Sequence, residues 1–241
     1  MTQSKSIKFW WWDGSWPGNL GDILTPLILN HFNIPYTHSR DFEAISTGSI
    51  LKVARAGTIV LGSGIIGLRD YACPDADYRF VRGPYTRQHV LTFGGTCPEI
   101  YGDPAMLIPE IIDPAPKLYD LGIIPHYSHY EEAKKRYPEH QVIKLRTNDC
   151  VETIKQITQC RHIVSSSLHG IILAHAYDIP AAWTEFTAGL KGDGIKFLDH
   201  YASVGITDPV KSSVTQPVFT TGKVNLDPLK QAFETLRDQI Q

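Results

Sequence analysis

The sequence predicts an α/β protein made of two βα halves, because short apolar runs alternate with segments of helical periodicity along most of its 241 residues. Glycines follow several apolar runs closely, and glycine just past a strand is where loops of open parallel sheets bend toward a ligand. The segment 113–116, Asp-Pro-Ala-Pro, breaks any regular element and separates the halves. We therefore predict an N-terminal domain over residues 1–115, a C-terminal domain over 116–225 and a docking helix over 226–241.

The individual elements follow from the same alternation. In the first half the predicted strands span residues 7–11, 44–47, 58–61, 78–81 and 99–101. The second half is predicted to run as strand 120–124, helix 128–137, strand 141–145, helix 149–159, strand 162–165, helix 168–177 and strand 181–185. The last segment begins with an Asp-Pro pair and carries an apolar stripe that would allow it to pack on either half.

Composition narrows the class of partner. The formal net charge is −2, so a broad basic surface for nucleic acid or anionic lipid is not expected, and an anionic small molecule must be held by a few local cations. The four cysteines show no Cys-x-x-Cys spacing, and residues 1–8 lack the apolar region of a signal peptide. No run approaches the ~20 apolar residues of a transmembrane helix. We expect a cytoplasmic protein with reduced thiols.

The glycine loop after the first strand is the first candidate site. It reads Gly-Asn-Leu-Gly-Asp over residues 18–22, and its glycines allow backbone amides to approach a ligand. Asn19, Gly21 and Asp22 are therefore candidate site residues. In the alternative interpretation Asp22 caps a helix and the glycines only turn the chain.

Three further strand ends carry candidates. Ser63, between two glycines, suits a phosphate or a sugar hydroxyl, although such a motif also forms plain tight turns. Arg82 ends a strand and is aimed at the crevice, where a guanidinium can bind a carboxylate or phosphate through two hydrogen bonds. Asp103 either orients a partner cation or caps the next turn, and His126 is placed at the mouth of the crevice.

The stretch Ser-Ser-Ser-Leu-His-Gly over residues 165–170 joins a strand to a helix and has more polar residues than a junction needs. His169 falls in the first helical turn, away from the apolar stripe, whereas His175 lies on that stripe and is predicted to be a core residue. One of the serines is expected to cap the helix, and Ser166, Ser167 and Gly170 are candidate ligand contacts. The alternative is a serine cap with an incidental histidine.

Lysines and tryptophans complete the set. The glycine-spaced segment 189–196 contains Lys191 and Lys196 and is typical either of a phosphate-binding flap or of a solvated loop. Trp12 and Trp16 flank the carboxyl end of the first strand, where an indole can stack on a sugar face. No cluster with metal-ligand spacing is present, so no metal is expected.

The order and spacing of these motifs resemble the polysaccharide pyruvyl transferase family, particularly its short members that act in exopolysaccharide side-chain assembly. The matching stretches are GNLGD at 18–22, GSG at 62–64, VRGPYTR at 81–87, GDPAML at 102–107, IPHY at 124–127, VSSSLHGIILAHAYDIPA at 164–181 and IKFLDHYASVG at 195–205. The resemblance implies two Rossmann-like halves facing across a cleft, as in glycosyltransferase-B enzymes. It also implies transfer of the pyruvate unit of phosphoenolpyruvate onto two sugar hydroxyls as a ketal, with release of phosphate, in bacterial surface polysaccharide, exopolysaccharide or capsule synthesis.

The resemblance also assigns roles. It places donor contacts at Arg82, Leu168 and His169, and no cofactor is implied beyond phosphoenolpyruvate as donor substrate. Some members carry an arginine where this chain has Ser167, so part of the donor contact is expected from Lys191 or Lys196. His169 is then the general acid/base and Arg82 holds the anionic groups of the donor. The remaining candidates orient or contact the acceptor: Asn19, Gly21, Asp22, Ser63, Asp103, His126, Trp12 and Trp16.

Two other functions stay open at this point. A nucleotide-sugar-dependent glycosyltransferase would share the two-half architecture, with Glu185 as a ribose ligand. A non-catalytic glycan-binding partner of a polysaccharide assembly complex would bind sugar without consuming phosphoenolpyruvate. If the acceptor is a lipid-linked oligosaccharide, the protein would work at the inner membrane face.

Overall fold

The computed structural model describes residues 6–13, 17–186 and 193–241, and their strands form two parallel sheets. The N-terminal sheet has the order β2-β1-β3-β4-β5 and consists of β1 (Ile7–Trp10), β2 (Tyr36–His38), β3 (Ala44–Ile45), β4 (Ile59–Leu61) and β5 (Asp77–Phe80). The C-terminal sheet has the order β7-β6-β8-β9 and consists of β6 (Tyr119–Ile124), β7 (Gln141–Val142), β8 (Cys160–Ser165) and β9 (Ala181–Trp183). The pairings within both sheets are parallel, which confirms the α/β class.

Helices connect the strands. The α-helices are α1 (Thr25–His31), α2 (Pro84–Thr92), α3 (Tyr130–Arg136), α4 (Cys150–Thr158), α5 (Leu168–Ala176), α6 (Ile195–Ser203) and α7 (Asp227–Ile240). Short 3₁₀ helices span Asp22–Leu24, Leu51–Val53, Pro104–Glu110 and Tyr127–His129. Local chemistry accounts for several starts: α1, α2 and α7 have proline in the first turn, where the missing N–H has no intrahelical partner. The Oδ1 atom of Asp149 caps α4 by accepting from the Glu152 N–H at 2.9 Å.

The structure differs from the predicted elements in a few places. Residues 99–101 form only a bridge between Tyr101 and Val81, because the chain turns at Gly102 (φ 152°) into the helix Pro104–Glu110. That helix, the short edge strand β2 and α6 are absent from the predicted list. Strand β2 is only three residues long, so its position depends on packing rather than on local pattern.

Both sheets contribute to one large cluster of buried side chains. Helix α5 lies inside this cluster, between the C-terminal sheet and the helix Pro104–Glu110, and its residues 168–175 are all buried. This arrangement confirms a buried His175 but corrects the single apolar stripe expected for α5, because the 3₁₀ helix covers the face that holds His169. Helix α7 returns to β4 and β5 of the N-terminal sheet, where Phe233 stacks on Phe32 with ring centroids 5.0 Å apart.

Within the described residues, we find no helix with the length and hydropathy required to cross a bilayer.

Candidate active site

A cleft of about 550 Å³ lies at the carboxyl ends of the strands and is lined by residues of both halves. The N-terminal half contributes Trp10, Trp12, Asn19, Asp22, Ser49, Ile50, Lys52, Val53 and Ile66. Residues from the C-terminal half are His126, Tyr127, Leu145, Arg146, Ser167, Leu168, His169 and Lys196. The cleft is large enough for a small anionic donor together with part of a second substrate.

The glycine loop before α1 crosses to the other half. The Leu20 N–H donates to the Leu145 carbonyl at 2.8 Å, and the Thr147 N–H donates to the Gly18 carbonyl at 2.8 Å. A bridge between Asn19 and Arg146 completes this pairing. The loop is thereby fixed against the segment that follows β7, which brings Asn19 and Asp22 into the same cleft as Arg146.

His169 sits in the first turn of α5, over the backbone of Gly21. A Cβ atom at residue 21 would lie only 1.9 Å from His169 Nδ1, so glycine is needed there for the ring to occupy its position. His169 Nε2 lies 3.7 Å from Asp103 Oδ2. His169 is 7% exposed, while Asp103 is fully buried, so the imidazole separates the carboxylate from the cleft.

Asp22 lies beside His169 and opens the 3₁₀ helix Asp22–Leu24. Its Oδ2 accepts a hydrogen bond from Asn19 Nδ2 at 2.8 Å. Burial raises the pKa of the Asp22 carboxyl above its usual range, and this effect outweighs the opposing influence of His169 and of the Asn19 hydrogen bond. No side-chain capping bond is made at this helix start. The N-cap position is held by Gly21, so Asp22 is the first residue of this helix rather than its cap, and its carboxyl lines the cleft.

Among the residues that the structure describes, three lysine or arginine side chains line the cleft: Lys52, Arg146 and Lys196. Burial lowers the pKa of Lys196 to about 8; nearby Arg82 contributes to the lowering, whereas Asp22 opposes it. Lys196 is thus mostly charged at neutral pH and loses its proton under mildly alkaline conditions. Together the three side chains can hold a small molecule with two anionic groups.

Arg82 lies behind the cleft wall rather than at its surface. Its side chain is fully buried, and its Nε donates to Asp199 Oδ2 at 3.0 Å. Nη1 donates to Ser49 Oγ and Nη2 to the Ile65 carbonyl, each at 2.7 Å. In this geometry Arg82 does not line the cleft, because its guanidinium is hydrogen-bonded to Asp199, Ser49 and Ile65, and its predicted contact with the donor stays a prediction.

The three serines between β8 and α5, residues 165–167, make different contacts. Ser165 Oγ accepts from the Ser167 N–H at 3.0 Å, and Ser166 Oγ accepts from the His126 N–H at 2.8 Å. Ser167 stands at the N-cap position of α5, but its side chain makes no capping bond there, which corrects the expected cap. Only Ser167 of the three lines the cleft.

His126 also lines the cleft and is held by a contact of 2.7 Å between its Nδ1 and Ser128 Oγ. Burial lowers the pKa of His126 to about 4, with Lys196 and His129 contributing in the same direction. His126 is therefore neutral at physiological pH and is suited to hydrogen bonding rather than to charge neutralisation.

Aromatic rings stand near the opening of the cleft. Trp12 and Tyr127 are each 52% exposed although they are large and apolar. Trp12 packs edge-on against Trp10 with ring centroids 6.3 Å apart, and the Arg146 guanidinium lies 5.3 Å from the centre of the Tyr127 ring. Exposed rings at a cleft suit the apolar face of a sugar.

The structure brings together eight of the predicted site residues as lining of the cleft: Trp12, Asn19, Asp22, His126, Ser167, Leu168, His169 and Lys196. Six others support it from behind or lie away from its surface: Gly21, Ser63, Arg82, Asp103, Ser166 and Gly170. Among these, Ser63 is buried and bonds to the Gly48 carbonyl at 2.9 Å, and Gly170 packs against Ser165. Trp16 and Lys191 lie outside the described residues.

Sequence reasoning missed two of the cleft cations. Arg146 follows the predicted strand 141–145, so its position at a strand's carboxyl end was a usable signal. Lys52 lies on the helix Leu51–Val53, and no local pattern marks it. In the part of the chain that the structure describes, no group of three His, Cys, Asp or Glu side chains is arranged to hold a metal ion.

Comparison with known proteins points to one family. A family model described as "Polysaccharide pyruvyl transferase" matches residues 21–185, more than half of the chain. The chain is 36% identical to "Uncharacterized protein L143" of Acanthamoeba polyphaga mimivirus over 170 residues, covering 66% of this chain and 59% of that protein. It is 29% identical to "Succinoglycan biosynthesis protein ExoV" of Rhizobium meliloti (strain 1021) over 218 residues, covering 83% of this chain and 66% of that protein. The chain thus spans 59% and 66% of the lengths of these two relatives, less than two thirds of each.

Proposed function

The chain belongs to the polysaccharide pyruvyl transferase family, and we propose that it transfers the pyruvate unit of phosphoenolpyruvate onto two hydroxyls of a sugar as a ketal. The similarity to a succinoglycan biosynthesis protein supports a place in exopolysaccharide synthesis, with a sugar or lipid-linked oligosaccharide as acceptor. The observation that carries the proposal is the position of His169, which lies between Asp22 and the buried Asp103 in a cleft that is also lined by the cations Lys52, Arg146 and Lys196.

The donor fits the charge of the cleft. Phosphoenolpyruvate carries a carboxylate and a phosphate, and Lys52, Arg146 and Lys196 can pair with these groups while they are partly removed from water. Ser167 adds a hydroxyl at the start of α5, where helix dipoles favour anions. Arg82 supports this side from behind, because it holds Ser49 and anchors α6, which carries Lys196, through Asp199.

The reaction requires two proton transfers. The methylene carbon of the donor first gains a proton, and one sugar hydroxyl attacks the neighbouring carbon and loses its own proton. The bond from that carbon to the phosphate oxygen then breaks. The second hydroxyl attacks the same carbon and completes the ketal. Of the two protons that the hydroxyls release, one is replaced by the proton taken up in the new methyl group, and the other leaves with the released phosphate. We assign the first exchange to His169 as general acid/base. Asp22 is the second proton-transfer group, since its raised pKa lets the carboxyl keep a proton to higher pH than an exposed one does.

The acceptor is proposed to lie against the aromatic side of the cleft. Trp12 and Tyr127 offer exposed rings to a sugar, and His126 and Asn19 offer hydrogen bonds to its hydroxyls. Because His126 is neutral, it can orient a hydroxyl without attracting the donor phosphate.

The test is incubation with phosphoenolpyruvate and a panel of oligosaccharides, followed by phosphate measurement and mass detection of a product that has gained one pyruvate less one water. We expect both signals together, and His169→Ala should lower kcat by ~100-fold or more, because general acid–base catalysis contributes that much. Retention of more than a tenth of the wild-type rate would remove His169 from the mechanism. Glycosyl transfer from nucleotide sugars in the same panel, or sugar binding without phosphate release, would replace the proposal with one of its two rivals.

A further inference from the structure

Two buried polar atoms face each other beneath the cleft. His169 Nε2 and Asp103 Oδ2 are each buried without a hydrogen-bond partner, and they lie 3.7 Å apart. Leaving a buried nitrogen and a buried carboxylate oxygen both unpaired is costly, and a small approach would join them in a hydrogen bond. Such bonds in substrate-free sites are often long and shorten when substrate binds.

The carboxylate is fixed in its orientation. Asp103 Oδ1 accepts from the Ala105 N–H at 3.0 Å and thereby caps the helix Pro104–Glu110. That helix packs on α5, which carries His169. Rotating the carboxylate would break the cap, so Oδ2 is held toward the imidazole.

Among the described residues, Asp103 is the carboxylate that lies within 4 Å of a ring nitrogen of His169. Asp22 lies beside His169 in the cleft, and its Oδ2 is engaged by Asn19. Lys196 lines the same cleft and, while charged, is a donor only. The buried His200 of α6 pairs through its Nε2 with His175, and its Nδ1 is also buried without a hydrogen-bond partner. Asp103 is thus the acceptor that faces Nε2.

We propose that Asp103 is a positioning residue that holds His169 in the tautomer with hydrogen on Nε2, leaving Nδ1 as the nitrogen that exchanges protons with substrate. Nε2 is sealed from solvent, so the 7% of His169 that is exposed belongs to its other atoms. The inference rests on the proposed function, in which His169 is the acid/base, but the tautomer is a property of the protein without substrate.

The variant Asp103→Asn tests the assignment sharply. The Asn oxygen can keep the cap to Ala105, which places the Asn amide where Oδ2 stood, facing His169 Nε2. An N–H donor there favours the opposite tautomer, with hydrogen on Nδ1, and removes the free nitrogen from the cleft. We expect kcat to fall by about 100-fold or more, as in other sites where the wrong tautomer is imposed, while KM for phosphoenolpyruvate changes by less than about threefold.

The first measurement needs no variant and no substrate. ¹⁵N NMR of histidine-labelled protein at pH 8, with the His169 signals identified by their loss in His169→Gln, should show hydrogen on Nε2 in the wild-type chain. Hydrogen on Nδ1 would overturn the proposal, whether or not Asp103→Asn folds. This readout also separates the inference from the proposed function, because it stands even if phosphoenolpyruvate is not the donor.

A matched control is available at the start of α4. Asp149 caps that helix through Oδ1 as Asp103 caps its own, but it is exposed and does not line the cleft. Asp149→Asn should leave kcat and the His169 tautomer unchanged. A loss of activity in Asp103→Asn with hydrogen still on Nε2 would show a merely structural role and would equally refute the proposal.

Discussion

The cleft has two parts that are built differently. The first, here called the floor, consists of Asp22, His169 and the underlying Asp103. The second, here called the basic wall, consists of Lys52, Arg146 and Lys196.

The floor is fixed by packing, since His169 and Asp103 are buried and the ring rests on Gly21. In the basic wall Lys52 is exposed, and Arg146 and Lys196 are partly exposed long side chains. A buried, tightly packed group suits proton transfer, which depends on sub-ångström geometry, whereas long and more exposed cations suit capture of an anion. Changes to the floor should therefore lower kcat, and changes to the basic wall should raise KM.

The largest effect in this comparison is expected from Gly21→Ala. The backbone of Gly21 is right-handed helical (φ −57°, ψ −42°), so alanine is allowed there, but its Cβ would collide with the His169 ring. Displacing the ring by about 1 Å should lower kcat by about 100-fold, with little change in KM for phosphoenolpyruvate.

Steady-state kinetics beside a thermal melt will check this expectation. Gly67→Ala is the matched control, because the nearest atom to its added Cβ is 3.6 Å away, an ordinary contact. A Gly21→Ala enzyme with more than a third of the wild-type kcat would mean that the floor tolerates movement.

A smaller effect, on KM rather than on kcat, is expected from Lys196→Met. Loss of one charge-assisted contact to the donor should raise KM for phosphoenolpyruvate by about tenfold to 100-fold and leave kcat within a few-fold. The wild-type KM should also rise as the pH increases through about 8, because deprotonation removes the positive charge of Lys196.

Lys196→Arg separates charge from shape. Arginine stays protonated at pH 9, so this variant should retain donor binding without the alkaline rise in KM. If the rise persists in Lys196→Arg, then another group titrates, and the role of Lys196 in the basic wall has to be abandoned.

The smallest effect is expected from Trp12→Ala, which belongs to neither part. Removing an exposed aromatic ring from the cleft opening should raise KM for the sugar acceptor by about three- to tenfold, the size of an aromatic stacking contact. KM for phosphoenolpyruvate and phosphate release per product formed should stay constant.

Trp12→Phe should recover most of the acceptor affinity, since it restores a ring. An unchanged acceptor KM in Trp12→Ala would place the sugar elsewhere, for instance on Tyr127, which also lines the cleft.

The floor and the basic wall also differ in how far the sequence predicted them. His169, Asp22 and Lys196 were identifiable because they stand next to glycines and strand ends in the linear pattern. Arg82 was placed at the correct strand end, yet its surroundings could not be predicted: its partner Asp199 lies 117 residues away, on a helix absent from the predicted elements. Asp103 was expected to orient a partner, to contact the acceptor or to cap the next turn. The structure confirms the cap on the helix Pro104–Glu110 and places the carboxylate beneath His169.

By itself, the sequence determined the alternation of strands and helices, the parallel sheets, the buried His175 and the family, because these depend on local periodicity and on the order of short motifs. Only the tertiary structure decided which polar groups face the cleft. Three contacts join residues that are far apart in the chain: the hydrogen bond between Gly18 and Thr147, the ion pair between Arg82 and Asp199, and the placement of Asp103 under His169. A linear pattern carries no information on such contacts, since burial and charge pairing are settled when the two sheets pack together.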